Sequence, residues 1–195
     1  MSKLYKVNEI FYSIQGEGIR YGFPYIFVRF AECNLKCGFC DTEFESFIEM
    51  TGEDILNRCN ELTQDNHCRN VSFCGGEPLL QLDTELVELF KGWFKHVETN
   101  GTRPVPGGID WVVMSPKVAE HAVVPTKVNE LKYVRSYGQG IPKPKSKADH
   151  YLISPLFEGD RTDENTMKWC QKLVLDNPGW RLTIQHHKQN FGVIR

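Results

Sequence analysis

The chain has 195 residues, a length that suits one domain with a full hydrophobic core, and residues 1–195 are read as a single domain. Hydrophobic residues at 41% and charged residues at 25% are ordinary globular usage, which argues against a disordered chain. Lys and Arg total 23 against 25 Asp and Glu, and no basic cluster forms a phosphate-tracking stripe, so no direct nucleic-acid partner is expected. No apolar run is long enough to span a bilayer, and the first residues lack a basic head followed by an apolar segment, so the expected location is cytoplasmic, with no membrane partner.

In chain order, a first strand is predicted over residues 6–11. It runs into Phe11-Tyr12-Ser13-Ile14-Gln15-Gly16-Glu17-Gly18, a Gly-loosened turn. A second strand over 25–30 is apolar except for Arg29, a cation that is costly there unless it pairs with an anion or lies on an exposed face. A loop carrying Cys33, Cys37 and Cys40 follows, then Asp41-Thr42. A helix is predicted from about Thr51, a suitable N-cap, with Ile55, Leu56, Cys59 and Leu62 on one face. A strand over 71–73 ends in Cys74-Gly75-Gly76-Glu77-Pro78, whose paired glycines allow positive φ and a close backbone approach to a ligand. A second helix starts near Asp83 and shows Leu86, Val87, Leu89, Phe90, Trp93 and Phe94. Strands over 96–99 and Trp111–Met114 lead into Asn100-Gly101 and Ser115-Pro116-Lys117. After a strand over 128–133, residues 136–148 are rich in Gly, Pro and Lys and read as a mobile surface loop. A strand over 151–153, a helix from near Thr162 with Met167, Cys170, Leu173 and Val174, and a strand over 181–184 complete the series.

Strands alternating with helices imply βα units on a parallel sheet. Three helices are too few for a closed eight-stranded barrel of about 250 residues. The expected fold class is therefore α/β, an incomplete TIM-like barrel with a curved, mainly parallel sheet. Ligands in such folds bind at the C-terminal strand ends, where the chemical motifs of this chain fall. Seven cysteines, an odd number without an export signal, argue against a disulfide framework and for metal or redox chemistry. Three thiolates on one short loop suit a compact soft centre, zinc or iron–sulfur. Structural zinc wants four closed ligands, and neither a second CxxC nor a nearby His supplies the fourth. Three cysteines instead leave one iron of a cubane open. A zinc site with a distant fourth ligand stays open at this point.

The Cx3Cx2C spacing, with the aromatic Phe39 before the last cysteine, resembles the cluster motif of the radical S-adenosylmethionine (SAM) superfamily. The resemblance implies a [4Fe–4S] cluster on Cys33, Cys37 and Cys40, with SAM chelating the open iron. It further implies SAM contacts at Phe39, Gly75, Gly76, Glu77, Asn100, Ser115, Pro116 and Lys117. The combination of the Ser13–Gly18 run, Arg29, Cys40-Asp41-Thr42, the Gly-Gly-Glu-Pro and Ser-Pro-Lys turns and Gln185-His186-His187-Lys188 resembles, more narrowly, the 7-carboxy-7-deazaguanine synthase family. The likeness runs from about Val7 to the C-terminus.

That family converts 6-carboxy-5,6,7,8-tetrahydropterin to 7-carboxy-7-deazaguanine with loss of ammonia, a lyase reaction on the way to queuosine and other 7-deazapurines. The resemblance implies one-electron cleavage of SAM, hydrogen removal from C6 of the substrate, ring rearrangement and regeneration of SAM, so no protein side chain is assigned as the catalytic group. It also implies a reductant such as flavodoxin or ferredoxin, a homodimer, substrate contacts at Gln15, Gly16, Glu17, Arg29, Cys74, His187 and Arg195, and a Mg²⁺ ion at Thr42. These roles have a physical basis. A pterin edge offers donors and acceptors that a buried amide such as Gln15 matches, and Arg29 suits an anionic or carbonyl oxygen. A hydroxyl together with a substrate carboxylate fits the few-ligand habit of magnesium. The apolar approach Phe191-Gly192-Val193-Ile194 can pack and deliver the carboxylate of Arg195 to the site.

Two departures stand out: Cys74 where the family usually carries Thr, and Ser154-Pro155 where many members carry Gln-Pro. Two other readings share parts of the pattern. A glycyl-radical-enzyme activase has the same cysteine core but would bind a large protein and lack the Ser13–Gly18 type of start. A zinc-stabilised binding module without catalysis would need a fourth ligand.

Overall fold

A computed structural model describes residues 3–40, 42–64 and 67–188. The hairpin β1 (Leu4–Ile14) and β2 (Pro24–Phe30) is followed by β3 (Ile48–Thr51), α1 (Gly52–Thr63), β4 (Asn70–Gly75), α2 (Thr84–Leu89) and β5 (Phe94–Thr99). Then come β6 (Trp111–Met114), β7 (Lys127–Arg135), β8 (Lys147–Pro155), α3 (Glu164–Asp176) and β9 (Trp180–Leu182). All nine strands form one sheet in the order β3-β1-β2-β4-β5-β6-β7-β8-β9. β1 is antiparallel to both of its neighbours, and every pairing from β2 onward is parallel. With β3 and β9 at opposite edges the sheet is open, as expected of an incomplete barrel.

The hairpin shows how the sheet acquires two chemically different faces. Tyr5 and Val7 are buried in the hydrophobic core, and Ile10 and Tyr12 further along β1 are partly buried against it, although the two pairs have opposite parity. A register shift between Val7 and Glu9 reconciles them, because one extra residue in a strand reverses its inward and outward alternation. From the bulge onward Glu9, Phe11 and Ser13 therefore face a cavity while Ile10 and Tyr12 face the core. On β2, Ile26, Val28 and Phe30 are wholly buried in the core, and Phe27 and Arg29 face the cavity.

Three elements differ from the sequence expectation. β3 pairs with the start of β1 and is a short edge strand whose Ile48 and Glu49 are exposed, so it carries no apolar pattern to detect. The second helix ends at Leu89, and the apolar period continues through a turn and into β5. Gly92, at φ 82°, lets the chain reverse there, a conformation an L-residue disfavours. The 136–148 segment is fastened rather than loose. Trp169 Nε1 donates to the Gln139 carbonyl, the Tyr137 amide donates to Thr166 Oγ1, and Lys145 Nζ donates to the Val123 carbonyl; β8 has already begun at Lys147. The expected cap at Thr51 is present, where Thr51 and Asp54 form a reciprocal capping box on α1; α3, expected from near Thr162, is capped by Asp163.

Candidate active site

The C-terminal ends of the parallel strands converge on one cavity of about 530 Å³, within the range of small-molecule sites. Its wall begins where β2 ends. Ala31 N donates to the Lys6 carbonyl, Glu32 turns at φ 68°, and the chain enters the cysteine loop. Cys33, Cys37 and Cys40 all line the cavity, and all three are free thiols. Burial pushes the Cys33 thiol above its ordinary pKa, an effect that Glu77, Cys37 and Cys40 add to through their proximity. Among the described residues, no group of three or more His, Cys, Asp or Glu is gathered so as to hold a single metal ion. Three thiols on one cavity wall fit a cubane, in which each iron takes its own thiolate.

The paired glycines are required by the protein itself. A Cβ on Gly75 would run into the backbone of Phe30, and one on Gly76 into the carbonyl of Glu32. Gly76 N donates to the Phe30 carbonyl at 3.2 Å and Glu77 N to the Glu32 carbonyl at 2.9 Å, so this turn docks on the root of the cysteine loop. Both glycines line the cavity. Glu77 does not: its side chain is fully buried, and it accepts from Leu79 N, Thr99 Oγ1 and Asn100 N at 3.1, 2.7 and 2.6 Å. Asn100 lines the cavity, but its amide is engaged with Asn34 of the cysteine loop and with Thr102. Ser115 and Lys117 also line it and are joined by a 2.5 Å bond from Lys117 Nζ to Ser115 Oγ. Burial pushes Lys117 down to about 8, and its ammonium lies 6.0 Å from the ring centroid of Phe39, another lining residue. Pro116 is outside the lining.

The floor is polar. Arg29 lines the cavity with its Nε buried and without a hydrogen-bond partner, and its guanidinium carbon lies 5.5 Å from the Phe11 ring centroid. Its neighbour Cys74 is pushed up to about 12, chiefly by burial, so the thiol is neutral. Gln15, almost wholly buried, donates to Glu98 Oε1 at 2.9 Å. Glu17 pairs with Lys132 at 2.6 Å, both nearly buried, and the nearby carboxylates of Glu17 and Glu98 keep that lysine charged against the opposing effect of burial. His187 stands exposed at the rim over Gly16, where a Cβ would strike the imidazole. Thr42 lines the cavity beside Cys40. Ser154 is buried in β8 and does not reach the cavity, whereas Leu156 and Phe157 do. The Arg195 carboxylate lies outside the described residues.

Several lining residues lie outside the predicted site set, among them Glu9, Phe11, Phe27 and Lys132. Lys132 carried a weaker signal than Arg29, a charge in a strand that also holds Asn129 and Glu130. Glu9 and Phe11 carried none, because the bulge that turns them to the cavity is invisible in the sequence.

Residues 28–119 match the Radical SAM superfamily. The chain is 39% identical over 186 residues to the 7-carboxy-7-deazaguanine synthase of Bacteroides thetaiotaomicron, covering 94% of this chain and 96% of that protein. It is 37% identical over 213 residues to the enzyme of the same name from Bordetella pertussis, covering 94% and 97%. Its fold resembles the crystal structure of QueE from Escherichia coli, with a TM-score of 0.73 over 94% of this chain and 95% of that one, at 24% identity. The names of these relatives agree with the synthase reading and not with an activase or a zinc module.

Proposed function

This chain belongs to the 7-carboxy-7-deazaguanine synthase family of radical SAM enzymes, and from that premise we propose that it converts 6-carboxy-5,6,7,8-tetrahydropterin to 7-carboxy-7-deazaguanine with release of ammonia. The family uses a [4Fe–4S] cluster and SAM. The observation that carries the reading is that the three thiols of the Cx3Cx2C loop and the unpartnered guanidinium nitrogen of Arg29 face one cavity. One end suits a soft metal cluster and the other an anionic substrate.

The chemistry supplied by the bound cluster and SAM is electron transfer and a carbon-centred radical. In this reading Cys33, Cys37 and Cys40 hold the cluster. Phe39, Gly75, Gly76, Asn100, Ser115 and Lys117 shape the SAM side, while Glu77 and Pro116 act through the loops they order. Arg29 binds the substrate carboxylate, since its buried Nε has no hydrogen-bond partner and a charged donor gains most from an anion. Gln15, Gly16 and Glu17 present amide and carboxylate groups to the pterin edge, and leaving such groups unpaired would reject analogues strongly. Cys74 contributes a weak thiol donor, and His187 closes the rim. Thr42 would supply a hydroxyl to Mg²⁺; the Arg195 carboxylate, which the resemblance assigns to the guanidine-like donors, lies outside the described residues. The enzyme is a homodimer of one-domain chains and takes its electron from a flavodoxin- or ferredoxin-type donor.

The test is anaerobic reconstitution followed by mass spectrometry of the product formed from 6-carboxytetrahydropterin. A brown protein that yields 7-carboxy-7-deazaguanine and ammonia is expected. A brown protein that cleaves SAM but leaves the pterin untouched would overturn the substrate.

A further inference from the structure

Behind the floor of the active cavity lies a second, far smaller cavity of about 10 Å³, lined by Gln15, Glu17, Gly18, Arg20, His96, Glu98, Val113, Glu130 and Lys132. That is about the volume that one water occupies. Two of the lining side chains carry buried polar atoms with no hydrogen-bond partner among the described residues, His96 Nε2 and Glu17 Oε2. Buried polar atoms of this kind are rare, and a shared water is the usual answer to a pair of them.

Several of the other polar atoms around the cavity already have partners, Arg20 Nε donating to Tyr25 OH among them. His96 is wholly buried, and its Nδ1 lies 2.9 Å from Ser72 Oγ. Glu17 Oε1 takes Lys132 Nζ at 2.6 Å. Glu130 accepts from Trp111 Nε1 at 2.7 Å and from Ile19 N at 3.2 Å, and Glu98 Oε1 accepts from Gln15. Burial and the nearby Arg20 and Lys132 push His96 down to about 3, so the ring is neutral and Nε2 can accept or donate according to tautomer.

We infer that this cavity is a binding site for one ordered water, held between His96 Nε2 and Glu17 Oε2, and that through it His96 and Ser72 act as positioning residues for the Glu17–Lys132 pair. The water donates to Glu17 Oε2 and either donates to or accepts from His96 Nε2. Glu17 and Lys132 line the active cavity as well as this one, so the water fixes from behind the carboxylate that faces the substrate. Without it, Glu17 Oε2 turns toward another donor and the pair loses its orientation. The effect on turnover rests on the synthase reading above; the water site does not.

The test has two arms. A crystal structure of the cluster-loaded enzyme, at a resolution that shows ordered waters, should place one water within hydrogen-bond reach of both His96 Nε2 and Glu17 Oε2. A well-ordered cavity without that density overturns the inference whatever the enzyme's substrate. The second arm compares three substitutions at position 96, each with cluster absorbance and thermal unfolding recorded. His96→Gln places an amide where Nε2 stood, His96→Asn places one only where Nδ1 faced Ser72, and His96→Phe keeps only the ring. KM for the carboxypterin should rise about tenfold in the Phe and Asn variants, the effect of leaving one buried acceptor unpaired, and should return toward the parent value in the Gln variant. If the Phe variant matches the parent, the ring serves packing alone; if Asn rescues and Gln does not, the Ser72 contact is what matters. Either outcome refutes the water-mediated role. Parent enzyme that shows the water but does not turn over the pterin would sink the substrate and leave the site standing.

Discussion

Glu77 offers the sharpest test of how the motif turn works, because its carboxylate faces protein and not the cavity. Oε2 accepts from Asn100 N, while Oε1 accepts from both Leu79 N and Thr99 Oγ1. Glu77→Gln keeps one carbonyl oxygen for Leu79 and Thr99 and turns an NH₂ toward the Asn100 amide, setting donor against donor. Losing one charge-assisted bond and leaving a buried N–H unpaired costs about 2 kcal/mol. For a chain of this size that is a melting temperature lower by about 4–8 °C. Asn100 is the residue that clamps Asn34 of the cysteine loop, so the disturbance reaches the cluster side as well. Anaerobic thermal unfolding and SAM titration calorimetry should show both a lower melting temperature and weaker SAM binding, with Glu77→Ala worse in each. A Gln variant that melts within a degree of the parent would refute the argument that the carboxylate is structural. A destabilised variant with unchanged SAM affinity would show that the loop coupling through Asn100 does not reach the cofactor.

Further outcomes follow from other parts of the site. Cys37→Ala should abolish iron–sulfur absorption and SAM cleavage, whereas Cys59→Ala and Cys170→Ala, which alter wholly buried core thiols, should spare both; equal iron loss in all three would undo the ligand assignment. Thr42→Ala should lower turnover at a given Mg²⁺ concentration roughly tenfold, one oxygen ligand's worth, with cluster absorbance intact, and a parent enzyme indifferent to Mg²⁺ would remove the basis for this role. Glu43, just past the cysteine loop, accepts from Ser46 Oγ, Ser46 N, Asn8 Nδ2 and Glu45 N, and these bonds pull it from 4.5 to about 2. Because the folded value is depressed, its stabilisation is fully present above pH 4.5 and is lost as pH falls through about 2. The melting-temperature gap between the parent and Glu43→Gln should therefore narrow over that window, and a gap constant with pH would count against the bonding described.

The cluster loop was legible in the sequence because its chemistry is local: three cysteines at fixed spacing need no knowledge of the fold. The cap at Thr51 was legible for the same reason, since it acts within one turn. What escaped depends on register. The β1 bulge reverses a strand's facing without changing its composition, so Glu9 and Phe11 gave no sign of the cavity they face. The second helix was read too long because Phe90, Trp93 and Phe94 keep a helical period while in fact lining a turn and a strand, and only Gly92 marked the break. The paired glycines were read as room for a ligand, yet the nearest atoms they spare belong to Phe30 and Glu32, a contact between segments far apart in the chain. The buried partners of Glu17 and His96 were out of reach for the same reason, since each lies on a different strand.

Register also decides what the departure at position 74 means. Glu9 stands opposite Arg29, and Arg29 stands opposite Cys74, so a carboxylate, a guanidinium and a thiol lie side by side across three strands. Glu98 follows Val97, the partner of Phe73, and extends the row onto β5. Had the thiol ionised, Arg29 would have a second anion beside it and less reason to take one from a ligand. It does not ionise: a thiol is already neutral at neutral pH, and burial pushes Cys74 further up, to about 12. A threonine hydroxyl in that position would contribute none either. The substitution therefore leaves the electrostatics around Arg29 unchanged and alters only hydrogen bonding, replacing a strong donor and acceptor with a weak one.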